Sequence, residues 1–143
     1  MSNSLISIKE KTMGVSFSWD EKYSVGNEEI DGQHKYMFEL ANFLPESIED
    51  GSVKKTVMAL YKYILKHFSA EEAMMKNEGF PNAEMHMNMH NDLITKLNEI
   101  TSVPFKDDEN LLKFKKFVYD WVIEHIMHQD KKFFDFVKQK NIS

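Results

Sequence analysis

Apolar side chains recur along this chain at intervals of three and four residues, the period of one helical face, and Gly and Pro are too sparse to interrupt it often. Ile30, His34, Met37, Phe38, Ala41 and Leu44 form a first stripe, which predicts a helix from about Asp31 to Asp50 with Gly51 as its stop. Pro45 falls inside that span, so a kink or an end near Asn42 is the alternative. Val57, Leu60, Tyr61, Ile64, Leu65 and Phe68 predict a second helix from an N-capping Ser52 to Asn77, closed by the segment EGFP. Leu93, Ile94, Leu97 and Ile100 carry a third, from about Asn82 to Ser102, ahead of Pro104. The fourth begins near Asp107 and reaches at least His128 through Leu111, Phe114, Phe117, Val118, Trp121 and Val122. The segment KKFFDFVKQK either continues it or forms a short fifth helix. Residues 1–30 hold no sustained period and read as an ordered loop laid over the core by Phe17, Trp19 and Tyr23.

Four long helices with short connections predict an all-α fold: an antiparallel up-down-up-down four-helix bundle with an N-terminal loop and a short C-terminal helix. A single domain is expected over residues 1–143, divided into an arm (1–30), the bundle (31–128) and a C-terminal segment (129–143). A chain of this length buries roughly two-thirds of its unfolded surface, so no metal is needed merely to fold it.

Composition narrows the chemistry. The absence of cysteine removes disulfides, thiolate nucleophiles, zinc–cysteine sites and iron–sulfur clusters, and leaves histidine and carboxylate as the strong metal ligands. The 23 acidic and 18 basic residues are interspersed, with a net charge of −5 and no basic run, so nucleic acid is not an expected partner. The opening MSNSLISIKEKTMG has no apolar stretch of signal-peptide length, and nowhere is there an apolar run long enough to span a bilayer. A cytoplasmic protein with no membrane insertion is expected.

The six histidines, His34, His67, His86, His90, His125 and His128, are spread over all four predicted helices. His86 and His90 lie four apart, one turn distant on one face, where both can reach one ion. Such a pair alone is most often two surface residues. His67 and Glu71 repeat the spacing, and an isolated pair of this kind is ordinarily solvated. Here, however, His67 sits three after Ile64 and Glu71 three after Phe68, on or beside the apolar stripe, and a buried carboxylate needs a partner. His34 lies at the edge of the first core stripe, and His125 follows Trp121 and Val122 by four and three. Four helices thus aim imidazole at one bundle centre. Asp130 follows His125 by five, about 140° round a regular helix, so only a wider π-type turn would bring the two together. His128 reads as a solvent-facing or supporting residue rather than a ligand.

His34, then His67-x-x-x-Glu71, His86-x-x-x-His90, and His125 with Asp130: this order and spacing resembles the hemerythrin family, in particular its single-domain bacterial form. The resemblance runs from about Phe17 to Phe136 and includes YSVGNEEIDGQH, HFSAEEAMMKNEGFP and WVIEHIMHQDKKF. It implies two iron ions joined by an oxo or hydroxo group, with His86, His90 and His125 on one iron, His34 and His67 on the other, and Glu71 and Asp130 bridging. Seven protein ligands then leave one iron position open for dioxygen. Trp121, Val122 and Ile126, beside His125, are the expected apolar lining of that oxygen pocket.

The expected function is reversible dioxygen binding, for carriage, storage or delivery, without catalytic turnover. One alternative is a di-iron enzyme handling peroxide or nitric oxide. Against the ferritin-like oxidases stands their Glu-x-x-His signature, since no glutamate of this chain has a histidine three residues later. A second alternative is an oxygen or redox sensor, which in a chain of this length would act through a separate protein partner.

Overall fold

The computed structural model describes residues 18–102 and 104–142, all of whose regular elements are helical. A 3-10 turn at Glu21–Tyr23 precedes α1 (Glu28–Asn42), α2 (Val53–Glu78), α3 (Ala83–Thr101) and α4 (Asp108–Phe117). A π-helical segment, Val118–His125, then leads directly into α5 (Ile126–Ile142). The residues on either side of each junction keep right-handed helical backbone angles, so α4, the π segment and α5 form one continuous rod. The short C-terminal helix expected from the sequence is therefore the end of the fourth helix rather than a separate element.

Local chemistry sets the other boundaries. The Asn27 side chain accepts a hydrogen bond from the Ile30 amide, and Glu28, Glu29 and Asp31 follow at the positive end of the helix dipole. α1 thus begins three residues earlier than its apolar stripe alone indicated. It ends at Asn42 and not at Asp50, because Pro45 lacks an amide hydrogen and restricts Leu44 before it. Gly79 closes α2 in the left-handed conformation (φ 67°), and the Phe80 amide returns to the Met75 carbonyl. The Asp107 carboxylate caps α4 at the Asn110 amide.

The buried side chains form three layers. The main apolar cluster contains Met37, Phe38 and Ala41 of α1, Leu60, Ile64 and Phe68 of α2, Leu93 and Leu97 of α3, and Phe114, Val118, Val122 and Ile126 of the fourth rod. A minor cluster holds Ile30, Met75, Phe133 and Phe134. At the level between the two lie buried polar residues: His34 on α1, His67 and Glu71 on α2, His86 and His90 on α3, and Asp130 on α5. Trp19 and Tyr23 pack on Phe38, with ring centroids 5.9 and 5.7 Å from it, as the sequence suggested; Phe17 lies outside the described residues. No helix among the described residues is long and apolar enough to cross a membrane.

The π segment reconciles the two halves of the fourth rod. On a regular helix at about 100° per residue, Asp130 would lie roughly 160° from Phe114. A π turn takes up about one extra residue, which returns Asp130 to within about 60° and Phe133 to about 0°. The wide turn thus precedes His125, instead of spanning the interval from His125 to Asp130 as the sequence suggested. It follows that deleting the exposed Asp120 should convert the segment to a regular α-helix with both core faces still aligned. That variant should melt at or near the parent temperature, whereas deleting Lys131 turns Phe133 and Phe134 out of the core and should lower stability by about 3 kcal/mol or more. Thermal denaturation of the two deletions, compared by circular dichroism, decides it: equal losses would mean the π turn does not set the phase.

Candidate metal centre

Glu71 and Asp130 are both 0 % exposed, and around them converge imidazoles from α1, α2 and α3. Asp130 Oδ2 lies 2.9 Å from His34 Nε2 and 3.1 Å from His67 Nε2, while its Oδ1 is 3.1 Å from His86 Nε2. Glu71 Oε1 lies 2.9 Å from His86 Nε2 and 3.3 Å from His90 Nε2, and its Oε2 is 3.8 Å from His67 Nε2. Ligand atoms fall into two groups, each within 4.8 Å: Glu71, His86, His90 and Asp130 in one, His34, His67 and Asp130 in the other.

His125 belongs to neither group. Its Nε2 is nevertheless buried and without a hydrogen-bond partner, and its ring lies against Trp121 at a centroid distance of 4.5 Å. His125, His86 and His90 share a small cavity of about 10 Å³, whose wall also includes Phe68, Leu93, Trp121 and Ile126. That is about the space one water-sized molecule requires. Two of the three expected lining residues are therefore at this cavity. Val122 is not: the π segment turns it into the main apolar cluster, 1 % exposed. His128 is exposed, facing an outer depression with Asp120, Glu124 and Lys132.

Two supporting residues escaped the sequence reading. The His67 Nδ1–H donates to Gln33 Oε1 at 2.7 Å, and the His90 Nδ1–H donates to Glu72 Oε2 at 2.8 Å. Glu72 can only accept, so it fixes the His90 proton on Nδ1 and leaves Nε2 bare. The Phe68 ring, stacked on His90 at 3.8 Å and 5°, holds the imidazole plane. The only sequence signal for either partner was adjacency, Gln33 beside His34 and Glu72 beside Glu71.

The electrostatics are those of a crowded, dry cluster. Burial, and then repulsion from Asp130, push the Glu71 carboxyl up to about 7 against the pull of His86 and His90. Burial alone would lower His86, but hydrogen bonds to Asp130 and Glu71 outweigh it and raise the imidazole to about 9. Burial holds His34, His90 and His125 below the usual histidine range. For Asp130, burial is overcome by the hydrogen bonds with His34, His67 and His86, which keep it well below the ordinary carboxylate range.

The donor set fits a metal. Within the cluster, Glu71 Oε2, His90 Nε2 and His125 Nε2 are buried without a hydrogen-bond partner. An unsatisfied buried polar atom costs about 1–3 kcal/mol, and three in one cluster are hard to sustain unless something else meets them. The bare His90 Nε2 faces Glu71 Oε1 at 3.3 Å, so a proton or a cation must lie between the two lone pairs.

Comparison with known proteins agrees with this chemistry. The chain is 26% identical to the bacteriohemerythrin of Clostridium acetobutylicum over 128 residues, 83% of this chain and 99% of that protein. It is 29% identical to the myohemerythrin of Theromyzon tessulatum over 117 residues, 82% of this chain and 90% of that one. With a hemerythrin-like protein of Naegleria gruberi the identity is 27% over 122 residues, 85% and 94% of the two chains. The profile of the hemerythrin HHE cation-binding domain matches residues 25–137, a span that contains every residue of the buried cluster, and the chain belongs to the hemerythrin family.

Proposed function

We propose that the protein binds dioxygen reversibly at a non-haem di-iron centre, for carriage, storage or delivery, and is not an enzyme. One observation carries the reading: each buried carboxylate divides its two oxygens between two groups of histidines. Such a division suits two cations better than one. His34 and His67 would hold one iron, His86, His90 and His125 the other, with Glu71 and Asp130 bridging them. A lone tetrahedral zinc would engage about four donors and leave the rest buried and unmatched. When bound, the iron pair supplies electrons that dioxygen takes up and returns.

The chain's own residues do the rest. Gln33 and Glu72 orient His67 and His90 with Nε2 inward. Phe68, Leu93 and Ile126 line the small cavity with groups that hold no transferable proton. Trp121 covers His125. An up-down-up-down course is supported by the order of the layers. α1 and α3 lead from the minor cluster through the polar residues to the main cluster, and α2 and α5 lead the opposite way.

Reduced protein mixed with oxygen should develop a spectrum that reverses under vacuum, with iron analysis giving two ions per chain; an irreversible change, or one zinc, would refute the proposal. Glu71→Ala and Asp130→Ala should each abolish the paired-iron signature, while His128→Ala retains it. Ile126→Ala should keep the iron but hasten decay of the oxygenated form in air. Val122→Ala should instead cost about 1–2 kcal/mol of stability and leave that decay unchanged, because its side chain packs in the main cluster.

Protons and metal compete for the same atoms, which fixes a pH dependence. Glu71 and His86 both have folded pKa values above their unfolded ones, at about 7 and about 9, so their contribution is complete at low pH and lost as pH rises through those values. The depressed histidines act in the other direction only below about pH 6.5, and Asp130 only below about 3.8. Metal-free protein should therefore lose on the order of 2–3 kcal/mol between pH 6.5 and 9. Metal-loaded protein should not, because ligation requires the proton-free donors. Calorimetry of both forms across that window tests the sign; a metal-free protein more stable at pH 9 would contradict it.

A further inference from the structure

We infer that Gln129 is the gate between solvent and the metal centre, through which dioxygen enters and leaves. The identity of the ligand rests on the di-iron reading; the gate's geometry does not. Two cavities meet at the end of the π segment. The inner one, about 10 Å³, is shared by His86, His90 and His125. The outer one is an open surface depression of about 340 Å³, bounded by Asp120, Glu124, His128 and Lys132. Among the described residues, His125 and Gln129 are the two that line both, and so form the wall between them.

The two halves of that wall differ in freedom. His125 is held against Trp121, and its Nε2 is turned inward. Gln129 is half-buried and its amide makes no hydrogen bond among the described residues. Nothing latches it, and a half-exposed side chain of this length changes rotamer in picoseconds to nanoseconds. The remaining inner walls are less suited to opening. His86, His90, Leu93, Phe68 and Ile126 are buried, and Trp121 packs between Phe117 and His125. Met89 is half-exposed and flexible, but does not border the outer depression. A swing of Gln129 joins the inner cavity to a region that solvent already fills.

A gate acts on passage, so Gln129→Ala should speed dioxygen association and dissociation together in the iron-loaded protein. The metal-free protein supplies an independent readout, because Trp121 lines the inner cavity. In a Trp19→Phe background, Gln129→Ala should raise the rate constant for quenching of Trp121 fluorescence by dioxygen about threefold. Gln129→Phe should lower it, and Glu124→Ala, which alters the outer depression alone, should leave it unchanged. Equal quenching in the parent and Gln129→Ala, or a larger increase in Met89→Ala, would overturn the gate. If the iron-loaded protein shows no reversible oxygen spectrum, the di-iron reading falls, while Trp121 quenching in the metal-free protein still decides whether Gln129 controls access.

Discussion

Two carboxylates at zero exposure dictate the centre of this bundle. A buried carboxylate must be met by donors or cations, and Asp130 sits close enough to Glu71 to disfavour its charge. The imidazoles of three helices answer that demand, with their outer nitrogens tied back to Gln33 and Glu72 where a partner is in reach. The apolar clusters on either side supply the packing energy that lets the polar layer exist. Replacing such a buried polar network by matched apolar residues is often neutral or stabilising, whereas removing one member leaves the others unpaired. The layer is thus a cost to the fold, retained for what it binds.

The π segment is the backbone's share of that cost. Wide turns are rare in helices because their hydrogen-bond geometry is less favourable, and they recur at functional sites. Without it, the fourth rod could bury Phe114 and Val118 or Asp130 and Phe133, but not both sets. With it, Asp130 enters the polar layer from a rod whose first half is packed as ordinary core, and His125 is left half-exposed at the boundary between cavity and surface.

Much of this was legible in the chain because the helical period is a local signal. The stripes on Ile30 to Leu44, Val57 to Phe68 and Leu93 to Leu97 identify core faces, and His34, His67, Glu71, His86 and His90 fall on them by phase alone. Other features needed cross-helix register, which no single helix encodes. Gln33 meets His67 from another helix and Glu72 meets His90 likewise, so neither pairing has a spacing to be read. Val122 and the site of the wide turn fall elsewhere than their helical phase indicates for one reason: regular counting fails once a helix takes up an extra residue. The start of α1 was missed because Asn27 acts through its cap and not through apolarity.

On the proposed function, the same electrostatics bear on how the site would bind dioxygen without consuming it. In the metal-free chain the buried proton carriers are Glu71, raised to about 7 by burial and by Asp130, and His86, raised to about 9 by its hydrogen bonds to Asp130 and Glu71 against the effect of burial. These are the groups a metal would claim, and a ligating imidazole or carboxylate gives up its proton. Loading the centre would therefore empty the pocket of its own acids. The Glu72 carboxylate is engaged by the outer nitrogen of His90, and His128, Glu124, Asp120 and Lys132 border the outer depression but not the inner cavity. Dryness here is a matter of position as well as composition: the apolar walls exclude water, and the acids that remain stand outside a wall made by His125 and Gln129.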